Sequence, residues 1–268
     1  MKTKMGFGQK FAYSFYDFAA YKEFVIQGLR KAIFYTFLVS LILSVITNIK
    51  TIDTFNSEIS SVQATFIHSA PNFEFKDGIL SVSSNEPIYY KHNDTMFIVD
   101  TSGKTTSSVL APYSDGIYIN SNTLTLRQNY NTVQTISLSE FNQFGDFVLT
   151  NKAVLDLFSV SKLIVPVLLL ILNPIFSFLA NLVSIFAILA PFSLSISTLM
   201  EVNLSYVKAC TLSCYAITLP LLLEALLYVA GIDIPEFYII FYLIGVVYCG
   251  LAIKEIKKTD KSNLNYMN

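Results

Sequence analysis

Between Lys162 and Glu201 the chain runs for thirty-eight residues, Leu163 to Met200, without a single charge. About 20 apolar residues of helix suffice to cross the hydrocarbon core of a bilayer, so a run of this length marks an integral membrane protein. Composition agrees. Only 14% of the residues are charged and 53% are hydrophobic, against about 25% charged in an average globular chain. A net charge of −1 excludes a protein held to nucleic acid by a general basic field. The expected partners are the lipid bilayer itself and either another membrane protein or a second copy of the chain. With no Trp but 16 Tyr, tyrosine is left to serve as the interfacial aromatic.

Around this run the chain divides by charge and periodicity. Residues 1–31 mix six Lys and Arg with aromatics from Phe11 to Phe24. That pattern fits an amphipathic helix in the membrane interface. Residues 32–49 carry no charge and span about 27 Å as helix, which is one crossing. No small-residue cleavage site follows, so this reads as a retained anchor with the basic N-terminus in the cytoplasm.

Residues 50–162 change character. Seven Lys and Arg stand against eleven Asp and Glu, and both histidines lie here. Short β-type runs begin at Ile79, Pro87, Thr95, Gly116, Thr123 and Thr132, with Asp77-Gly78 and Ser102-Gly103 among the turn signals between them. Six such runs describe a small all-β or α+β domain, large enough for one core. Asp53 to Thr65 reads as helix leaving the membrane, and Ser139 to Leu157 as helix returning to it.

Thirty-eight uncharged residues are too many for one crossing and tight for two. Pro191 points to one long tilted span over 163–190, a break, and a cytoplasmic connector over 191–208. The third span then covers 209–230 and the fourth 237–253, joined by the turn at Gly231 to Pro235. The tail, 254–268, opens with Lys254-Glu-Ile-Lys-Lys258 and belongs with the N-terminus in the cytoplasm. Two ends on one side require an even number of crossings, and four satisfies this. The expected fold is a four-span α-helical membrane bundle with an extracytoplasmic domain inserted between spans one and two, in a cytoplasmic membrane.

Candidate functional groups within the spans are few. Glu224, in Leu221-Leu-Leu-Glu-Ala-Leu-Leu227, is the one acidic residue there. It either reaches the interface about 9 Å away or has an ion, proton or helix-pairing role. Asn173, Ser177, Asn181 and Ser184 fall within about 80° of each other at 100° per residue, forming one polar stripe. Its plain reading is hydrogen bonding to neighbouring helices, and its sharper reading is a path for a hydrophilic solute. Cys210 and Cys214, at i and i+4, read as packing residues, and His68 and His92 lack the spacing of a zinc site. No phosphate loop, nucleophile elbow, zincin or dinucleotide motif occurs, so neither a catalytic constellation nor a cofactor or metal is expected.

Several stretches carry a family resemblance: Ser14-Phe-Tyr-Asp17 through Leu29-Arg-Lys-Ala-Ile-Phe-Tyr35, Pro71 to Leu80, Phe97 to Gly103, and Leu204 to Ala209 with Tyr215 to Pro220. In these the chain resembles bacterial four-span membrane proteins of unknown function, some labelled maltodextrin utilisation proteins. Leu204 to Pro220 is also distantly similar to Yip-type membrane proteins. The resemblance implies a membrane accessory or sensor protein, with a link to sugar uptake or the envelope among its implications, and supplies no catalytic residues. The alternative is a small transporter or transport subunit using Asn173, Asn181 and Glu224.

Overall fold

The computed structural model describes residues 5–92, 94–145 and 147–265. It divides into a helical unit, Met1–Thr54 with Val165–Asn268, and a β-rich unit, Phe55–Ile164. Among the described residues, four helical stretches are long and apolar enough to cross a membrane: Leu29–Ser69, Asn151–Leu199, Tyr206–Ala230 and Phe237–Lys258.

In the helical unit the basic, aromatic N-terminus forms two helices where one interfacial helix was expected, α1 (Phe7–Tyr16) and α2 (Ala20–Gln27). Asp17 causes the break. Its carboxylate accepts hydrogen bonds from Ala19 N at 3.1 Å and Ala20 N at 3.3 Å, bracing the turn that leads into α2. Gly28, at φ 85°, separates α2 from α3 (Leu29–Ser69). Most of these aromatics face protein, Tyr16 being exposed. Tyr21 and Phe24 are fully buried, and Phe24, Tyr215 and Tyr35 stack with centroid separations of 4.2 and 4.5 Å. Each such pair adds about 1 kcal/mol beyond the area it buries.

Helix α4 (Asn151–Val183) contains Pro166 and Pro174 and continues through a π-helical turn, Ser184–Leu189, into α5 (Ala190–Leu199). The break expected at Pro191 therefore does not occur, and most of the 191–208 connector is helix. A proline ring collides with the carbonyl four residues back and cannot donate to it. The π turn immediately before Pro191 widens the helix and accommodates the misfit. Only Met200–Ser205 separates α5 from α6 (Tyr206–Ala216). The third apolar stretch is itself interrupted at Ile217, before α7 (Thr218–Ala230). Pro220 lacks the N–H that would bond to Ala216 O. From α3, Tyr35 OH pairs with Thr218 Oγ1 at 2.9 Å beside the interruption. Gly231, at φ 74°, ends α7 in a left-handed cap, and α8 (Phe237–Asn265) follows.

The β-rich unit holds all six of the expected strands and two more. A five-stranded sheet has the order β3 (Ile88–His92), β4 (Thr95–Val99), β5 (Asp115–Ile119), β6 (Thr123–Gln128), β7 (Thr132–Ser137). A three-stranded sheet has the order β2 (Ile79–Val82), β1 (Phe73–Lys76), β8 (Leu149–Thr150). Every pairing is antiparallel except β4 with β5. A parallel pair needs a crossover of a dozen or more residues, which here is the segment 100–114. Its 3₁₀ turn, Ser107–Leu110, drops Leu110 onto Met96, Ile98 and Tyr118 to form the unit's small core. Between β1 and β2, Asp77 (φ 52°) and Gly78 (φ 76°) make the two-residue hairpin turn that Asp-Gly favours. The expected helix over Ser139 to Leu157 is only partly present. Leu138–Phe144 is a 3₁₀ turn, β8 follows, and α4 begins at Asn151.

Candidate functional site

Three helices of the helical unit line an open cavity of about 340 Å³. Helix α4 contributes Asn173, Ser177 and Asn181, which lie within 80° on one face. Helix α7 contributes Leu221, Glu224, Ala225 and Tyr228, at i, i+3, i+4 and i+7. Helix α3 contributes Leu43 and a second polar stripe, Ser40, Ser44, Thr47 and Thr51. So a largely apolar helical unit carries hydroxyls, amides and a carboxylate around one space. At roughly 30 Å³ per molecule, it has room for about ten waters or one small solute.

The hydrogen bonds show which groups are already engaged. Asn181 Nδ2 donates to Ser40 Oγ at 2.9 Å, and Asn173 Nδ2 donates to Asn48 Oδ1 at 2.6 Å. Asn48, fully buried, donates onward to Leu169 O at 3.0 Å. These bonds fasten α3 to α4, as the plain reading of the stripe requires. Thr51 Oγ1 pairs with Tyr228 OH at 2.8 Å. Lys50 Nζ donates to Tyr228 O at 2.6 Å and lies 5.3 Å from the Tyr228 ring centroid, placing a cation at the C-terminal end of α7. Glu224 is different. It is exposed to the cavity and has no hydrogen bond or ion pair among the described residues.

Four of the five residues singled out in the sequence thus meet at one place: Asn173, Ser177, Asn181 and Glu224. Ser184 does not. It opens the π turn, where the 100° phase no longer holds, and its Oγ pairs with Tyr242 OH of α8 at 3.0 Å. Sequence reasoning missed the α3 stripe and Asn48, although 40, 44, 47 and 51 fall on one helix face by the same rule. Cys210, Cys214 and Cys249 are buried and free, consistent with packing. His68 is exposed, while the His92 side chain lies outside the described residues.

The β-rich unit has its own polar cleft of about 330 Å³, beside Asp100, Thr105, Tyr118, Asn120 and Asn122. Its carbonyl-type acceptors are largely occupied by the chain itself. Asp100 Oδ1 accepts from Ser102 N, Ser102 Oγ and Gly103 N at 2.9, 2.6 and 3.1 Å, and Oδ2 accepts from Thr105 N and Oγ1, both at 2.6 Å. Burial pushes the Asp100 carboxyl up, but the bonds from Ser102 and Thr105 outweigh it and set the pKa at about 2. Asn120 Oδ1 likewise accepts from Asn122 N and Thr123 N at 2.9 and 2.7 Å. This chemistry builds turns.

By length and composition, the four apolar helical stretches among the described residues, together with the small sheet-rich unit, suggest a multi-pass helical membrane protein. The chain belongs to the family described as protein of unknown function (DUF1189), whose model matches residues 8–253. No curated protein and no solved structure matches it. Neither a maltodextrin association nor a Yip-type likeness is shown by these comparisons.

Proposed function

We propose that this is a non-enzymatic binding protein of the membrane, of the sensor or accessory type, whose ligand enters the cavity among α3, α4 and α7. The observation that carries this reading is the unpaired Glu224 carboxylate facing a space otherwise lined by hydroxyls and amides. An ionisable group within a span is costly, and its retention is ordinarily functional. A carboxylate among neutral acceptors selects a small solute rich in donors, and a cation above all. The β-rich unit, assigned to the outer side by the positive-inside argument, is then a partner-binding or stabilising element. Its strongest acceptors are satisfied within its own turns. A link to sugar uptake or the envelope rests on the resemblance alone.

Transport is the second reading. The interruption at Ile217, seven residues before Glu224, favours it, because transporters place their sites beside broken helices.

Thiol labelling separates these readings. Ser177→Cys, Thr47→Cys and the lipid-facing control Ile171→Cys are treated in sealed vesicles of each orientation with a membrane-impermeant cationic methanethiosulfonate. The native cysteines are buried and contribute little background. Binding without transport predicts labelling of the two cavity positions from one side only, slowed by Glu224→Gln for the cationic reagent but not for a neutral one. Labelling from both sides would favour transport. Cavity cysteines as unreactive as the Ile171 control would leave a dry helix seam and remove the proposal.

A further inference from the structure

On the opposite flank of α3 from the polar stripe, α1 and α3 bound a groove of about 220 Å³. From α1 come Phe7 and Lys10, and from α3 come Lys31, Phe34, Tyr35 and Leu38. The α3 residues stand at i, i+3, i+4 and i+7, so they form one face. Polarity is ordered along that face. Lys31 is the last charge before the uncharged stretch 32–49, and Phe34 and Leu38 lie one and two turns into it. The groove therefore begins at a cationic end and continues as an apolar wall into the span.

The cations at its head have no counter-charge among the described residues. Lys10 is only 8% exposed, held over the Tyr215 ring at 5.9 Å from the centroid. Neither the Lys10 nor the Lys31 ammonium has an ion pair or a hydrogen bond among the described residues. Burial, and then the Lys31 charge, push the Lys10 ammonium pKa down, and an anion between the two would reverse the second effect. At the far end, Phe34 is 61% exposed, leaving most of an aromatic surface open.

We infer that this groove is a seat for one anionic phospholipid, its phosphate between Lys10 and Lys31 and an acyl chain along Phe34 and Leu38. The polarity order of the site matches that of such a lipid, and basic clefts between helices at the membrane face are where anionic headgroups bind. A zwitterionic lipid brings its own cation towards Lys10 and Lys31 and is disfavoured. A free phosphate leaves the apolar wall unused.

The full chain, purified in neutral detergent, is incubated with equimolar phosphatidylglycerol and phosphatidylcholine, and retained lipid is counted by native mass spectrometry. Phosphatidylglycerol is expected in preference, with about one tightly held molecule per chain. Lys31→Gln, at an exposed position, is expected to weaken retention about fivefold, and Lys10→Gln with Lys31→Gln about twenty-five-fold, at roughly a factor of five per lysine. Lys91→Gln and Lys152→Gln in the β-rich unit are expected to have no effect. Leu38→Asn is expected to weaken retention with both lysines intact, which separates a lipid from a bare anion. Equal retention of the two lipids, unchanged retention in Lys31→Gln, or full displacement by millimolar inorganic phosphate would each overturn the inference.

Discussion

Substituting Asp100 by Asn tests how the parallel β4–β5 pair is held together. The crossover between these strands has no helix, and one buried carboxylate, 1% exposed, organises its first turn through five hydrogen bonds. In the Asp100→Asn variant an NH2 group would replace one oxygen and face either Ser102 or Thr105, where donors already point. The size of the effect follows from the pKa. A fall from 3.8 to about 2 corresponds to roughly 2 to 3 kcal/mol of differential stabilisation of the ionised form, at about 1.4 kcal/mol per unit. Because the folded pKa is depressed, this stability is present above the unfolded value near 4 and is lost as pH falls through about 2. Tyr118 OH donates to Thr105 O at 2.7 Å, so loosening the turn also releases a core side chain. Hydrogen exchange of the full chain in detergent, read over residues 95–119, is the assay. Asp100→Asn should open this region more easily by about 2 to 3 kcal/mol at pH 7. Wild-type protection should decline between pH 4 and 2, and the variant should lack that decline. Equal protection of the two at pH 7 would refute a carboxylate-organised crossover.

Other expectations follow from close approaches and paired polar groups. A Cβ on Gly78 would lie 2.7 Å from Ser139 Cα, at a φ of +76°. Gly78→Ala should therefore cost at least about 1 to 3 kcal/mol, read as a lower melting temperature of the β-rich unit, whereas Gly103→Ala, with open space at its Cβ, should cost less. Asn48→Leu leaves the Asn173 amide without its acceptor in the α3–α4 seam. It should destabilise the helical unit in detergent, and the cycle with Asn173→Leu should return a coupling of about 0.6 kcal/mol, with about 1.7 as an upper bound. Pro191→Ala should leave helicity by circular dichroism unchanged, because the π turn already accommodates the ring; a marked gain would mean that the proline strains the helix.

Turn chemistry is what made the β-rich unit legible. Asp77-Gly78 and the polar loops punctuate its strands, and the runs from Ile79 to Leu138 emerge in the expected order. Phe73–Lys76 and Leu149–Thr150 were not readable as strands, being four and two residues long, and the second of them is held only by pairing with β1 across most of the unit's sequence. The four apolar stretches were plain from charge alone. Their interruptions were not, because a proline states only that a bond is missing. At Pro191 a π turn takes up the misfit and the helix runs on, while at Pro220 the helix breaks at Ile217. For the cavity, periodicity identified the α4 residues but could not say what they would face. Ser40, Ser44, Thr47 and Thr51 are small enough to pass as packing residues, and only tertiary structure brings them opposite Asn181 and Glu224. Ser184 also hydrogen-bonds to a neighbouring helix, as the plain reading of the stripe has it, but its partner is Tyr242 of α8 and not a residue of the cavity.

The π turn has a consequence for how one helix can serve two neighbours. Residues before the π turn keep one angular register and residues after it keep another, as though a washer had been inserted in a shaft. Asn173 and Asn181 point at α3 in the first register. Ser193, fully buried, meets Ser213 of α6 at 3.2 Å in the second. Deleting one residue within Ser184–Leu189 would restore an unbroken α-helix and rotate one half against the other by about 100°, so that the two seams could not both close. The extra residue lets the two contact faces of one long helix be aimed independently of each other.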